Sequence, residues 1–343
     1  MTPTLMRRVG ASAGTIVDAL THPPYGWGEH RDFESHADHG SVAVTFEDQP
    51  VVVEYYHFPA GPHAPTVFIC NGFTANAGVY GPLGKAVWHH EHNVVLLSLP
   101  GHGGTTLPMH RPLGYADTAE IMISAIEAIR HETGMVGEII LAGHSHGGGV
   151  AMAIAVRLGQ QANRLILLAS VGGPEWSRIT THMQQSLDGI RACHPNLGQV
   201  SRDLQVLAML FGEGLLMVPP PWDAVNAGKE LILPFARGFR GWRRPLELWS
   251  VAIDTIVGDA YSLESDLAQV KRLGIPTACV AGKLDGVINR KVIRQQAKLA
   301  GAGEFHYTTT HASFLAPEAR RRIAELITLP DDSFKLAVEK HLR

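Results

Sequence analysis

Cysteine, charge and long apolar runs are all scarce in this 343-residue chain. Its three cysteines, Cys70, Cys193 and Cys279, cannot all pair, which favours a reducing compartment over a disulfide framework. Charged residues make up 18% of the sequence and the formal net charge is −3, so the charge gives no reason to expect a nucleic-acid partner. No run approaches the roughly twenty apolar residues that span a bilayer, and residues 9–20 lack the apolar centre of a signal peptide. We therefore expect a cytoplasmic protein without stable membrane insertion.

The most informative motif is a Gly-x-Ser-x-Gly pentapeptide centred on Ser145, within the segment LAGHSHGGG. The apolar run before it predicts a buried strand, and the small apolar residues after it predict a helix packed on a sheet. A sharp turn from strand to helix leaves no room for a Cβ beside its apex, and Gly143 and Gly147 meet that need. Because Gly and Ser are common, the pentapeptide indicates a nucleophile only if the chain also supplies a base and a carboxylate.

Two later segments supply these groups. Asp285 lies on a loop just after a short apolar run, and His311 follows a strand-like segment and precedes a helix start. Glu175 also follows a predicted strand and is the alternative acid, whereas Asp254 and Asp259 fall on a predicted helix and are poorly placed. The chain therefore carries serine, aspartate and histidine in that order, each after a strand.

This order resembles that of the α/β-hydrolase superfamily, over most of residues 42–172 and 263–328. The resemblance implies an α/β fold with a mostly parallel, doubly wound sheet. It also implies an oxyanion hole made by the backbone N–H groups of Phe73 and His146, the second being the residue after the serine.

Two motifs depart from the superfamily pattern. Asn71 stands where the oxyanion loop often begins with histidine, and we expect its amide to hydrogen-bond the neighbouring loop instead. The Gly-rich turn LPGHGGT, at residues 99–105, follows Ser98 and lacks the aspartate that usually opens it. We expect His102 in this turn to be structural.

Composition and periodicity divide the chain into an extension at 1–40, a core at 41–172 and 263–343, and a helical lid at 173–262. Residues 41–46 and 51–57 predict a hairpin around Asp48-Gln49. A capping-box pattern at Asp117 and Glu120 predicts the start of a helix that ends at Gly134.

The predicted lid is strongly apolar at 204–218, which favours a lipophilic ligand and leaves a homodimer through lid surfaces open. Four of its arginines, clustered around two aromatic side chains, form either a solvated face or an anion site. They are Arg237, Arg240, Arg243 and Arg244.

The residues together predict a serine hydrolase that cleaves a lipophilic carboxylic ester through an acyl-enzyme, without a cofactor. A thioesterase, lactonase, carbon–carbon hydrolase or acyltransferase would use the same groups, and a non-catalytic ligand-binding protein is the alternative from another class. His89, His90 and His92 lack further ligands at familiar spacing, so we assign no metal. His144 and His146 are expected to pack or to shape the pocket.

Overall fold

The computed structural model describes residues 33, 35–73, 75–108, 113–181, 185, 259, 262–283, 285, 288–308, 311, 314 and 317–342. Within them, eight strands form one sheet. The strands are β1 (Asp38–Phe46), β2 (Gln49–Phe58), β3 (Thr66–Cys70), β4 (Asn93–Leu97), β5 (Ile139–His144), β6 (Ala162–Leu168), β7 (Thr277–Gly282) and β8 (Gly303–Tyr307). The helices are α1 (Gly81–Trp88), α2 (Tyr115–Thr133), α3 (His146–Leu158), α4 (Ser262–Leu273), α5 (Arg290–Ala300), α6 (Pro317–Ile327) and α7 (Asp331–Lys340).

The sheet has the order β1-β2-β4-β3-β5-β6-β7-β8. Strand β2 is antiparallel to β1 and to β4, and every pair from β4 to β8 is parallel. Strand β4 lies on one side of β3 and β5 lies on the other. The loops that follow β3 and β5 therefore leave the carboxyl edge of the sheet in opposite directions. In doubly wound sheets this switch point is where ligands bind. The predicted fold class is confirmed.

Helices cover both faces of the sheet, which is why its central strands are apolar throughout. Alternate residues of β3 show the division: Phe68 and Cys70 face the core beneath α2, α3, α4 and α5, whereas Val67 and Ile69 face the core beneath α1, α6 and α7. The sheet is thus buried between two helical layers.

The predicted hairpin and helix are both present, with shifted boundaries. The hairpin turns at Glu47 and Asp48, whose φ angles of 46° and 61° are those of a two-residue primed turn. The N-cap of helix α2 is Gly114, so the predicted N-cap at Asp117 was three residues late. Asp117 is the third helical residue, and its carboxylate accepts from the N–H of Gly114 at 2.9 Å. The predicted end is confirmed, because Gly134 has φ 69°.

The proposed lid falls mostly outside the described residues. A helical stretch at 174–181 follows β6, and the next unbroken run of described residues begins at α4. The apolar segment 204–218 and the arginine cluster therefore lie outside the described residues, as does most of the N-terminal extension. In the described part of the chain, no helix is long and apolar enough to cross a membrane.

Candidate active site

Ser145 lies between the end of β5 and the start of α3, with φ 53° and ψ −118°. Such a conformation costs a residue with a Cβ about 1–3 kcal/mol, so its surroundings must hold it. The Ser145 N–H donates to the carbonyl of Leu168 at 2.9 Å, and its own carbonyl accepts from Gly148 at 3.0 Å and Val171 at 3.1 Å. The strained turn predicted from the pentapeptide is present, and the loop after β6 supports it.

The two glycines of the pentapeptide are required by close backbone packing. A Cβ at Gly143 would lie 2.1 Å from the carbonyl oxygen of Gly147. A Cβ at Gly147 would lie 2.2 Å from the carbonyl oxygen of Asn71, which belongs to the loop after β3. The elbow therefore packs directly against the loop that carries Phe73.

His311 and Asp285 meet although they lie on different loops. His311 Nδ1 is 2.9 Å from Asp285 Oδ2, and the ring nitrogen must donate because a carboxylate only accepts. Asp285 Oδ1 accepts from the N–H of Ile288 at 2.9 Å. The Asp285 side chain is 1% exposed and that of His311 15%, so the carboxylate is enclosed while the imidazole reaches solvent. This arrangement holds the imidazole with its Nε2 available for proton transfer.

The alternative acid, Glu175, is engaged elsewhere. Its carboxylate lies 2.7 Å from Arg178 and 2.8 Å from Lys291. Hydrogen bonds from these two cations lower the pKa of Glu175 to about 2. The structure thus pairs His311 with Asp285 and ties Glu175 to α5. Asp259, also considered from the sequence, accepts from the N–H of Tyr115 at 2.7 Å and so caps α2.

Asn71 is fully buried and uses its whole amide. Its Oδ1 accepts from the N–H of Leu99 at 2.7 Å, while its Nδ2 donates to the carbonyls of Gly72 at 2.8 Å and Ala75 at 2.6 Å. The expected hydrogen bond to the neighbouring loop is therefore confirmed. The amide joins the loops after β3 and β4 with no charged group, which suits a buried position.

The Gly-rich turn after β4 is held by Glu54, which the sequence reasoning missed. Its Oε2 accepts from Ser98 Oγ and from the N–H of Gly104, both at 2.8 Å. A carboxylate from β2 thus binds the turn that lacks the usual aspartate. The available signal was a single acid within the otherwise uncharged run VVVEYYHF of β2.

Phe73 and His146, the residues of the predicted oxyanion hole, both lie near His102. The ring of His102 is 6.3 Å from each of theirs. Tyr115 Oη lies 3.2 Å from His146 Nδ1. Burial lowers the pKa of His102 to about 4 and that of His146 to about 3, so both rings are neutral at neutral pH. Their packing agrees with the structural roles expected for them, and the His146 N–H lies in the first turn of α3.

The aspartate–histidine pair lies next to the residue that precedes the strained serine. The ring of His311 is 4.7 Å from that of His144, the residue before Ser145. The hydrogen bonds of the described residues do not include one between Ser145 Oγ and His311, a contact that often tightens only in a substrate complex. No three metal-binding side chains converge within the same described residues.

Comparisons with known proteins agree with this architecture. The sequence pattern of the alpha/beta hydrolase family matches residues 67–326. An esterase from Thermogutta terrifontis superposes with a TM-score of 0.59 at 16% identity, over 85% of this chain and 97% of that one. An esterase from Rhodococcus sp. ECU1013 gives 0.58 at 15%, over 88% and 99%. The thioesterase domain from the curacin biosynthetic pathway gives 0.54 at 16%, over 85% and 100%.

A comparison with curated proteins finds no significant match. The structural likenesses, all below 20% identity, establish the fold, and the family pattern covers well over half of the sequence. On that basis, the chain belongs to the alpha/beta hydrolase family.

Proposed function

We propose that this protein is a serine hydrolase that cleaves a carboxylic ester of a lipophilic small molecule through an acyl-enzyme. The observation that carries the proposal is the 2.9 Å contact between His311 Nδ1 and Asp285 Oδ2, in a protein that also holds Ser145 at φ 53°. A strained non-glycine residue held by its neighbours is a common mark of a functional site. A buried carboxylate that orients an imidazole is the usual way to make a general base.

In the proposed mechanism Ser145 Oγ attacks the ester carbonyl while His311 Nε2 accepts its proton. Asp285 holds the opposite nitrogen and stabilises the imidazolium that forms. The N–H groups of Phe73 and His146 donate to the oxyanion, and the position of His146 at the first turn of α3 adds the positive end of the helix dipole. His311 then protonates the leaving alcohol and activates the water that releases the acid.

Other acyl substrates would use the same groups, so thioesters, lactones, carbon–carbon cleavage and acyl transfer are alternatives. The preference for a lipophilic ester rests on the apolar sequence 204–218, which lies outside the described residues. A non-catalytic ligand-binding protein is the alternative from another class. It gives no reason for a buried carboxylate to orient an imidazole, or for a serine to be held in a strained conformation.

The first experiment combines a fluorophosphonate probe with ester turnover. We expect the probe to label Ser145, and Ser145→Ala to abolish labelling and to lower kcat by about a millionfold. A series of p-nitrophenyl esters of increasing acyl length, run beside a thioester and a lactone, identifies the acyl group. Adding an alcohol or amine acceptor separates hydrolysis from acyl transfer. Turnover that survives Ser145→Ala would contradict the mechanism.

A second pair of variants tests the choice of acid. Asp285→Asn should lower kcat by about ten-thousandfold, because the amide favours the wrong imidazole tautomer. Glu175→Gln is the matched control, since it also neutralises a buried acid but one bound to Arg178 and Lys291. Its kcat should stay within about twofold of the wild type. The reverse outcome would assign the acid to Glu175.

A further inference from the structure

A continuous chain of hydrogen bonds joins the oxyanion loop to the histidine loop behind the serine. The N–H of Gly72 donates to Tyr80 Oη at 2.8 Å. Tyr80 Oη lies 2.9 Å from His144 Nδ1, and His144 Nε2 lies 3.1 Å from the carbonyl oxygen of His311. Gly72 precedes Phe73, and His144 precedes Ser145. This hydrogen-bond chain therefore contacts the residue before the proposed oxyanion donor, the residue before the proposed nucleophile, and the backbone of the proposed base.

The two ends of this chain fix the direction of every proton in it. A carbonyl oxygen only accepts, so His144 Nε2 must carry the proton that it shares with His311. Neutral His144 then presents an unprotonated Nδ1, which accepts from the Tyr80 hydroxyl. The Gly72 N–H only donates, and it binds the same hydroxyl as an acceptor. One arrangement therefore satisfies all four groups.

Burial keeps both side chains in the required states. Burial lowers the pKa of His144 well below its ordinary value, and the neighbouring His311 lowers it further. Burial also raises the pKa of Tyr80, which keeps its hydroxyl protonated. At neutral pH, His144 therefore stays neutral and the Tyr80 hydroxyl stays protonated.

Close packing holds the chain in register. The ring of Phe314, which follows His311 in sequence, stacks on Tyr80 at 4.5 Å and contacts His144 edge-on at 4.9 Å. A Cβ at Gly72 would lie 2.6 Å from His144 Nδ1, so glycine is needed for the chain to close. No part of this arrangement belongs to the three side chains of the proposed mechanism.

We infer that Tyr80 and His144 are positioning residues, which couple the oxyanion loop to the backbone of His311 so that the oxyanion donors and the base keep one geometry. The inference rests on the proposed function for its kinetic consequence, whereas the proton arrangement is testable without any substrate. Misplacing a catalytic group by about 1 Å can cost about a hundredfold in rate. Loss of the chain should therefore lower kcat without weakening substrate binding.

The kinetic test uses Tyr80→Phe, His144→Leu and His144→Gln, with active sites counted by fluorophosphonate titration. We expect Tyr80→Phe and His144→Leu to lower kcat about tenfold to a hundredfold with KM within about twofold. Gln places an N–H near the position of Nε2, so His144→Gln should recover part of the loss. Tyr55→Phe, which removes a tyrosine hydroxyl from β2, is the matched control and should keep full kcat. Equal kcat per active site in all variants, or an equal loss in the control, would overturn the inference.

Two further measurements separate positioning from general stability and from the proposed function. If one chain acts as a unit, Tyr80→Phe combined with His144→Leu should lose little more than the worse single variant, whereas independent effects would multiply. In ¹⁵N-histidine NMR spectra, with His144→Gln to assign the signal, His144 should show a protonated Nε2 and stay neutral as the pH falls through about 6.5, where an unperturbed histidine takes up a proton. A protonated Nδ1 on His144 would refute the proposed hydrogen-bond chain even if the enzyme is active. The predicted tautomer in a protein that cleaves no ester would leave the chain intact and remove only the proposed function.

Discussion

Replacing Asn71 by alanine should damage both stability and catalysis, because its amide joins two loops beside the serine. The substitution deletes three hydrogen bonds and leaves the buried N–H of Leu99 and two carbonyls without that partner. At about 1 kcal/mol per hydrogen bond, with an added penalty for buried groups left unsatisfied, the free energy of unfolding should fall by about 3–5 kcal/mol. The released loop carries Phe73, so we also expect kcat to fall by about a hundredfold.

Asn93 provides a closely matched control at the far end of the same strands. It is the first residue of β4, pairs in register with Thr66 and is 1% exposed. Its amide binds Ala60, Gly61 and Ala64 through four contacts of 2.6–3.2 Å. Asn93→Ala should therefore cost a similar amount of stability while leaving kcat per folded molecule unchanged.

The assay pairs urea unfolding with ester turnover, corrected for active sites by fluorophosphonate titration. Stability loss in both variants, with a kcat loss in Asn71→Ala alone, is the expected result. Equal kcat values in the two variants would refute the claim that the Asn71 amide holds the oxyanion loop. A loss below about 1 kcal/mol in Asn71→Ala would refute the energetic argument.

Asn71→Asp extends the test by changing one group at constant shape. A carboxylate accepts from Leu99 but cannot donate to the carbonyls of Gly72 and Ala75. Burial beside these oxygens should raise the pKa of the introduced acid in the folded state above about 3.9, its unfolded value. The folded state then binds more protons, so the variant should lose stability relative to wild type as pH rises above about 4. The penalty in Asn71→Ala should not vary with pH.

Two other predictions concern packing and pH. Gly147→Ala should prevent the elbow from folding, because the new Cβ would lie 2.2 Å from a carbonyl oxygen. Gly78→Ala is the control and should fold, because its Cβ would have no neighbour closer than 3.4 Å. Circular dichroism and the yield of soluble protein measure the folding of both variants. His102 and His146, with pKa values of about 4 and about 3, are neutral when folded and take up protons on unfolding below about pH 6.5. Urea titrations should show the free energy of unfolding falling from pH 6.5 towards 4, by up to about 1.4 kcal/mol per pH unit for each histidine. His102→Asn should reduce this slope. A slope equal to that of the wild type would contradict the assignment of a neutral, buried His102.

Local patterns were enough to predict the elbow, because a strained strand-to-helix turn demands glycines at fixed positions around Ser145. The mostly parallel sheet followed from the resemblance to the α/β-hydrolase superfamily, which rests on the order of serine, aspartate and histidine along the chain. The start of α2 was misplaced because Asp117 serves equally well as an N-cap or as the third helical residue. The choice depends on Gly114 and Asp259, and the second of these is distant in sequence.

What the sequence by itself determined is the set of chemical groups available: a serine at an elbow, and acids and a histidine on loops after strands. Only the tertiary structure decided how those groups combine. It pairs His311 with Asp285, 26 residues apart in sequence, and places Glu175 in an ion pair with Lys291. It also brings His144 within hydrogen-bond distance of His311, 167 residues away. The physical reason is that parallel strands bring their carboxyl ends to one edge, where contacts depend on loop paths that no local pattern encodes.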